Sequence, residues 1–211
     1  MTSDDRASQI IQEALSLDGT PNTLKQFYAK WADDYDTDVA HEHYAAPQIM
    51  VDMLQALNNE TTLNIIDAGC GTGLVGDLLY QQGYRQIDGF DLSPDMVQIA
   101  ETRGVYNQLR GNIDLTQPLA NYDENSYDVA FCCGVFTLGH VSPTALNQLI
   151  YLVRPGGYIL VSTRVSYYGA TDYQAVSDAL EQQGLFKRVT FLPDTPYTDD
   201  GLSHYWGYQV S

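Results

Sequence analysis

The stretch Asn64-Ile-Ile-Asp-Ala-Gly-Cys-Gly-Thr-Gly-Leu-Val-Gly76 constrains the fold more than any other part of this chain. A short apolar strand over residues 63–66 meets an acid, Asp67, then a turn carrying Gly69, Gly71 and Gly73, then a helical pattern from Leu74. Glycines there remove side chains where backbone must come close to a ligand, and the helix start places N–H groups beside it. Strand and helix patterns alternate from this point on, the mark of a parallel sheet covered on both faces. Strands are predicted at 63–66, 86–90, 106–109, 127–132, 158–162, 186–192 and 204–210. Helices fall at 73–82, after Ser93-Pro94, at 143–153 and at 172–183. Proline and glycine between the last two strands predict a loop across one rim. Upstream, helices are predicted at 6–17, from Thr20-Pro21 to residue 31, where Thr20 caps and Pro21 takes the first turn, and at 47–57. The expected class is α/β, with residues 1–60 an N-terminal helical lid and residues 61–211 a ligand-binding core.

Composition narrows the partners. The 211 residues, 44% of them apolar, suffice for one sizeable domain with a modest extension. Ten basic against 27 acidic residues give a formal charge of −17, which repels nucleic acid and anionic membranes. Cys70, Cys132 and Cys133 suit neither a disulfide framework nor a zinc site, so no metal is expected. The start Met-Thr-Ser-Asp-Asp-Arg has no signal-peptide pattern, and no apolar run has membrane-spanning length. A cytoplasmic monomer or homodimer is expected.

Two ligand classes compete for the turn. Gly71-Thr-Gly73-Leu-Val-Gly76 satisfies G-x-G-x-x-G, with Asp91 at the spacing of a ribose-binding acid, as in an NAD(P)-dependent oxidoreductase. Asp67 argues against that ligand, because a diphosphate at the helix start would lie beside its carboxylate in weakly screened surroundings. S-adenosylmethionine has no phosphate and carries an ammonium that an acid attracts. The pattern Asp-x-Gly-x-Gly-x-Gly, here Asp67 to Gly73, resembles the first motif of class I methyltransferases. The resemblance implies a Rossmann-like sandwich with a mostly parallel seven-stranded sheet, S-adenosylmethionine as methyl donor and S-adenosylhomocysteine as product. A non-catalytic S-adenosylmethionine-binding regulator is a further alternative.

Site residues follow from these motifs. Asp67 with Gly69, Cys70, Gly71, Thr72 and Gly73 is expected to hold the methionyl end. Asp91 suits the ribose hydroxyls, with helix capping beside Ser93 as the competing reading. Leu92 and Met96 flank the adenine or belong to the core. Asn112 and Ile113 resemble the segment that lies along the adenine, although many relatives have an acid where Asn112 stands. Cys133 offers backbone contacts, its thiol being structural. Tyr28, Trp31 and Tyr35 share one helical face. That stripe packs the lid, and its ring faces also attract a sulfonium by about 0.5–2 kcal/mol.

Together with the glycine turn, the segments Phe27–Asp36, Ala40–Pro47 and Gly134–Val141 resemble the methyltransferase-like proteins named for the Williams–Beuren region and similar bacterial small-molecule methyltransferases. A small-molecule acceptor is therefore expected. His140, in the loop past the fourth strand, is the candidate base, with a structural loop histidine as the alternative. His41, His43, Tyr44, Phe136 and Arg164 are candidates for the acceptor pocket. A guanidinium such as that of Arg164 can take a carboxylate or phosphate bidentately, or pair with the acidic surface instead.

Overall fold

In the computed structural model, residues 3–199 and 201–211 are described, with side chains from Arg6 onward. The chain forms α1 (Ser3–Leu15), α2 (Pro21–His41), α3 (Ala46–Leu57), β1 (Asn64–Ala68), α4 (Leu74–Gln81), β2 (Gln86–Phe90), α5 (Pro94–Thr102) and β3 (Gln108–Arg110). There follow β4 (Tyr127–Phe136), a short 3-10 turn, α6 (Leu146–Leu152), β5 (Val153–Arg164), α7 (Val165–Ala170), α8 (Tyr173–Gln182), β6 (Phe186–Thr198) and β7 (Gly201–Val210). All seven strands join one sheet in the order β3-β2-β1-β4-β5-β7-β6. The first five run parallel, and β7 enters antiparallel between β5 and β6. This is the expected α/β sandwich with a mostly parallel seven-stranded sheet.

Successive strand residues feed opposite faces, as the two-residue period of a strand demands. Ile65 and Leu160 pack with Met50 and Leu54 of α3 and Leu79 of α4. Ile66, Ile159 and Val161 pack instead with Leu146 and Leu149 of α6 and Tyr173 of α8. Because β1 has β2 on one side and β4 on the other, the chain reverses its winding there. Ligands of open α/β sheets lie beyond the strand carboxyl ends at such a switch point.

The structure differs from the sequence reading at several elements, β4 and β5 both running longer than predicted. Helix α2 runs ten residues beyond Trp31, because Leu24, Trp31 and Val39 continue one buried stripe and buried Asp38 accepts from the Trp31 indole at 2.8 Å. The proline- and glycine-bearing segment after residue 192 is no loop. It extends β6 and β7 into a hairpin paired out to Thr198 and Gly201, with register shifts that absorb the prolines. Helix α7 was not foreseen. It follows β5 directly and buries Tyr167.

Candidate active site

At the switch point the backbone makes a turn in the left-handed region that favours glycine. Gly69 and Gly71 both have positive φ, +80° and +53°. A methyl group on Gly69 would stand 2.3 Å from the Val135 side chain, whereas one on Gly71 would meet nothing within 4 Å. Bare backbone at Gly71 thus faces open space. Gly69 and Cys70 both donate to the Phe90 carbonyl, Gly71 donates to Asp91 Oδ2 and Gly73 donates to the Cys70 carbonyl. These four N–H groups are engaged within the fold, while the N–H groups of Leu74 and Val75 open the helix.

Asp67 corrects one expectation. Its side chain is fully buried behind the turn and does not wall the cleft. The Tyr106 hydroxyl donates to its Oδ2 at 2.7 Å, while Oδ1 has no partner among the described residues. Burial pushes this carboxyl up from its usual range to about 7, against the lowering effect of the Tyr106 hydrogen bond. A buried acceptor without a donor is costly, and a cation or donor brought to the turn would relieve it.

The cleft beyond the turn has a volume of about 940 Å³ counting its open mouth. Gly69, Gly71, Asp91, Leu92, Met96 and Ile113 line it from the sheet side. Asp91 combines the two readings of the sequence. Its Oδ1 accepts from Ser93 N–H at 2.8 Å and its Oδ2 from Gly71 N–H at 2.9 Å. A carboxylate has about four lone-pair directions, so acceptor capacity is left for two ribose hydroxyls. Asn112 does not line the cleft: at φ +61° its amide oxygen turns outward and accepts from Lys25 Nζ at 2.9 Å. Asp114 lines the edge in its place.

Helix α2 contributes Pro21, Leu24, Lys25, Tyr28 and Tyr35 to the same cleft. Trp31 stacks on Tyr28 and meets Tyr35 edge-on, yet lines only an adjoining pocket, since its indole is drawn to Asp38. The sequence reading missed the latch that holds this helix down. Asp36 accepts from Thr72 Oγ1 and pairs with Arg103, whose Nε also donates to the Thr72 carbonyl. Thr72 is therefore buried in the latch rather than in the cleft wall. Cys70 and Gly73 likewise shape the turn without lining the cleft. Cys133 does line it, with its thiol beside the Tyr44 hydroxyl and pushed up by burial to about 12, so it is no nucleophile at neutral pH.

A second, smaller pocket of about 460 Å³ shares Tyr28, Tyr35, Gly134 and His140 with the first. His140 stands where the two cavities meet. Its Nδ1 lies 2.9 Å from the Leu138 carbonyl, which can only accept, so Nδ1 carries the hydrogen and Nε2 the lone pair. The Tyr28 hydroxyl, 2.7 Å away, donates to Nε2. Burial lowers the imidazole's pKa, which keeps this lone pair available at neutral pH. Tyr44 and Arg164 line the second pocket, and Tyr197, unforeseen in the sequence, lines it from the extended hairpin. Gly134, at φ +77°, makes room for them, since a Cβ there would meet the Tyr44 hydroxyl at 2.8 Å.

Three acceptor-pocket expectations fail. Phe136 is fully buried in the core against Tyr167 and Tyr173, because the bulge in β4 turns it inward. His41 lies exposed at the last turn of the lengthened α2, outside both cavities. His43, at φ +48°, faces outward and pairs with exposed Asp199 at 2.8 Å, which raises its pKa.

A methyltransferase-domain family model matches residues 40–202. Human Methyltransferase-like protein 27 is 35% identical over 182 residues, covering 83% of this chain and 74% of that protein. The malonyl-[acyl-carrier protein] O-methyltransferase of Serratia marcescens is 34% identical over 133 residues, 62% of this chain and 49% of that enzyme, so the chain spans about half its length. Among solved structures, the [4+2]-cyclase SpnF shares the fold with a TM-score of 0.70 at 15% identity, covering 93% of this chain and 98% of that one. The magnesium protoporphyrin IX methyltransferase of Synechocystis PCC 6803, solved with bound S-adenosylhomocysteine, gives 0.64 at 18%, covering 90% and 99%. The oxidoreductase alternative is thereby set aside. The chain belongs to the methyltransferase-domain family and is an S-adenosylmethionine-dependent methyltransferase.

Proposed function

We propose that this enzyme methylates a small molecule held in the second pocket, with His140 receiving the acceptor's proton. The observation that carries the reading is the junction of the two cavities, where His140 Nε2 meets the hydroxyl of Tyr28 and both residues line both cavities. S-adenosylmethionine supplies an electrophilic methyl group on a sulfonium. The turn at Gly69 and Gly71, backed by Asp67, takes its methionyl end. Asp91 takes the ribose, and Leu92, Met96 and Ile113, with Asp114 at the edge, take the adenine. Tyr28 and Tyr35 turn aromatic surface toward the sulfonium. Residues 1–60 act as a lid on residues 61–211, which excludes water from the junction. Holding nucleophile and methyl in line supplies much of the acceleration, up to about 7–11 kcal/mol.

The proton of an acceptor hydroxyl or amine reaches His140 Nε2 at the position that the Tyr28 hydroxyl holds in this structure. Nδ1, fixed on Leu138, keeps the ring oriented as it takes the charge. The charge of −17 disfavours nucleic-acid acceptors. No helix among the described residues is long and apolar enough to cross a membrane, and the three cysteines are free, which suits work in the cytoplasm. Every proposed contact comes from one chain, so a monomer suffices and a homodimer is equally compatible.

The test is product formation from labelled S-adenosylmethionine across a fractionated metabolite pool, in wild type and His140→Ala. The expected result is one labelled small product, made about 10²–10⁴-fold more slowly by the variant while S-adenosylhomocysteine binding persists. Label found only on protein or nucleic acid would overturn the acceptor class. An unchanged rate in His140→Ala would remove the base.

A further inference from the structure

We propose that the acceptor carries a single carboxylate, bound by Arg164, on an otherwise apolar body. The inference rests on the methyltransferase reading above and concerns only what occupies the second pocket. Arg164 ends β5 at the ligand side of the sheet and lines that pocket. Its guanidinium lies over the Tyr197 ring, Cζ at 4.8 Å from the centroid, so one face is shielded while the donor edge is left for an anion. No carboxylate among the described residues pairs with it.

Each of the other six arginines has an acid or a backbone carbonyl as partner. Arg6, Arg103, Arg154 and Arg188 each pair with an aspartate, and Arg85 and Arg110 donate to backbone carbonyls. With 27 acids competing for 10 basic side chains, a cation kept clear of them inside a pocket is available for a ligand. Polar help stands nearby. The Thr137 hydroxyl is buried without a partner among the described residues, and the Tyr197 hydroxyl donates to that of Tyr44 at 3.3 Å.

Apart from Thr198 near the hairpin tip, the remaining wall is largely apolar, with Ile11, Ala14 and Leu15 from α1 and Trp31 and Val39 from α2. Such a wall suits an aromatic or aliphatic body, while the shared residues Tyr28 and His140 mark the end where the attacking atom must lie. One cation matches one charge. A phosphate dianion would leave an excess charge in a partly dry pocket of an acidic protein, which favours a carboxylate.

The experiment is calorimetric titration of the enzyme loaded with S-adenosylhomocysteine. The probes are 4-hydroxyphenylacetate, cinnamate and octanoate, each beside its neutral primary amide, together with phenyl phosphate. At least one acid is expected to bind about tenfold or more tightly than its own amide. That preference should vanish in Arg164→Gln and shrink at least threefold in Arg164→Lys, with S-adenosylhomocysteine affinity unchanged in both. If Arg164→Gln does not fold, Arg164→Lys decides. The proposal is overturned if no acid binds, if acids and amides bind alike, if the preference survives substitution, or if phenyl phosphate outbinds every acid. Failure to bind S-adenosylhomocysteine would instead strike the cofactor reading on which it rests.

Discussion

Replacing Asp67 by Asn should make this protein more stable at alkaline pH relative to wild type than at acid pH. The carboxyl is fully enclosed, one oxygen accepts from Tyr106, the other has no donor among the described residues, and its pKa rises from 3.8 to about 7. A folded-state pKa raised above the unfolded value gives stability that is complete below about 3.8 and is lost as pH rises through about 7. At ~1.36 kcal/mol per pH unit the whole effect is bounded at ~4 kcal/mol. Between pH 5 and 8 the unfolded carboxyl is ionised throughout, so roughly 3 kcal/mol of it falls in that window. The cost of burying an amide in the variant does not depend on pH and cancels. Urea denaturation of both proteins at pH 5 and pH 8, without cofactor, measures the difference. A stability gap between them that stays flat across this window would refute the argument. If the ammonium of S-adenosylmethionine relieves the same carboxylate, the ligand should stabilise wild type more than Asp67→Asn at pH 8.

Other expectations follow from the same geometry. The rate of methyl transfer should fall on the acid side with a midpoint below the usual 6.5 of histidine, because burial disfavours protonated His140. A stopped pH series reads this, and a midpoint above 6.5 would contradict it. Asp36→Ala frees Thr72 and Arg103 from the lid helix. Losing charge-assisted hydrogen bonds worth about 1.5–3 kcal/mol should raise the S-adenosylhomocysteine Kd about tenfold or more, and unchanged calorimetric affinity would show that the latch does not hold the lid. Phe136→Ala should cost about 3–5 kcal/mol of stability, as for a buried core aromatic, while acceptor KM stays the same. A changed KM with intact stability would return Phe136 to the pocket.

Much of the fold was legible because its signals are local. Asp67 at a strand end, three spaced glycines and Ser93-Pro94 each dictate backbone geometry within a few residues, and they located β1, β2 and the starts of α4 and α5. The hairpin of β6 and β7 was not legible, since its register depends on bulges that place Pro193 and Pro196 in an edge strand, which sequence marks as loop. The site divides the same way. Asp91 and Ile113 are set by the turn beside them, and both line the cleft. Asn112, Phe136 and His43 were misread because a single positive φ or a bulge decides which way each side chain points. Tyr197 lies 153 residues from its partner Tyr44, a pairing that no short-range pattern announces. The Asp36–Arg103 latch left one trace, an arginine just past α5 in a chain poor in cations, and distance in sequence concealed its partner.

The central claim is that the cleft beyond the glycine turn takes the methyl donor, gripped by Asp91 and closed by the lid. Isothermal titration of wild type and Asp91→Ala with S-adenosylhomocysteine tests it most directly, with circular dichroism to verify folding. One site per chain in wild type, weakened at least about tenfold in the folded variant, is the predicted outcome. No binding in wild type, or undiminished affinity in folded Asp91→Ala, would contradict it.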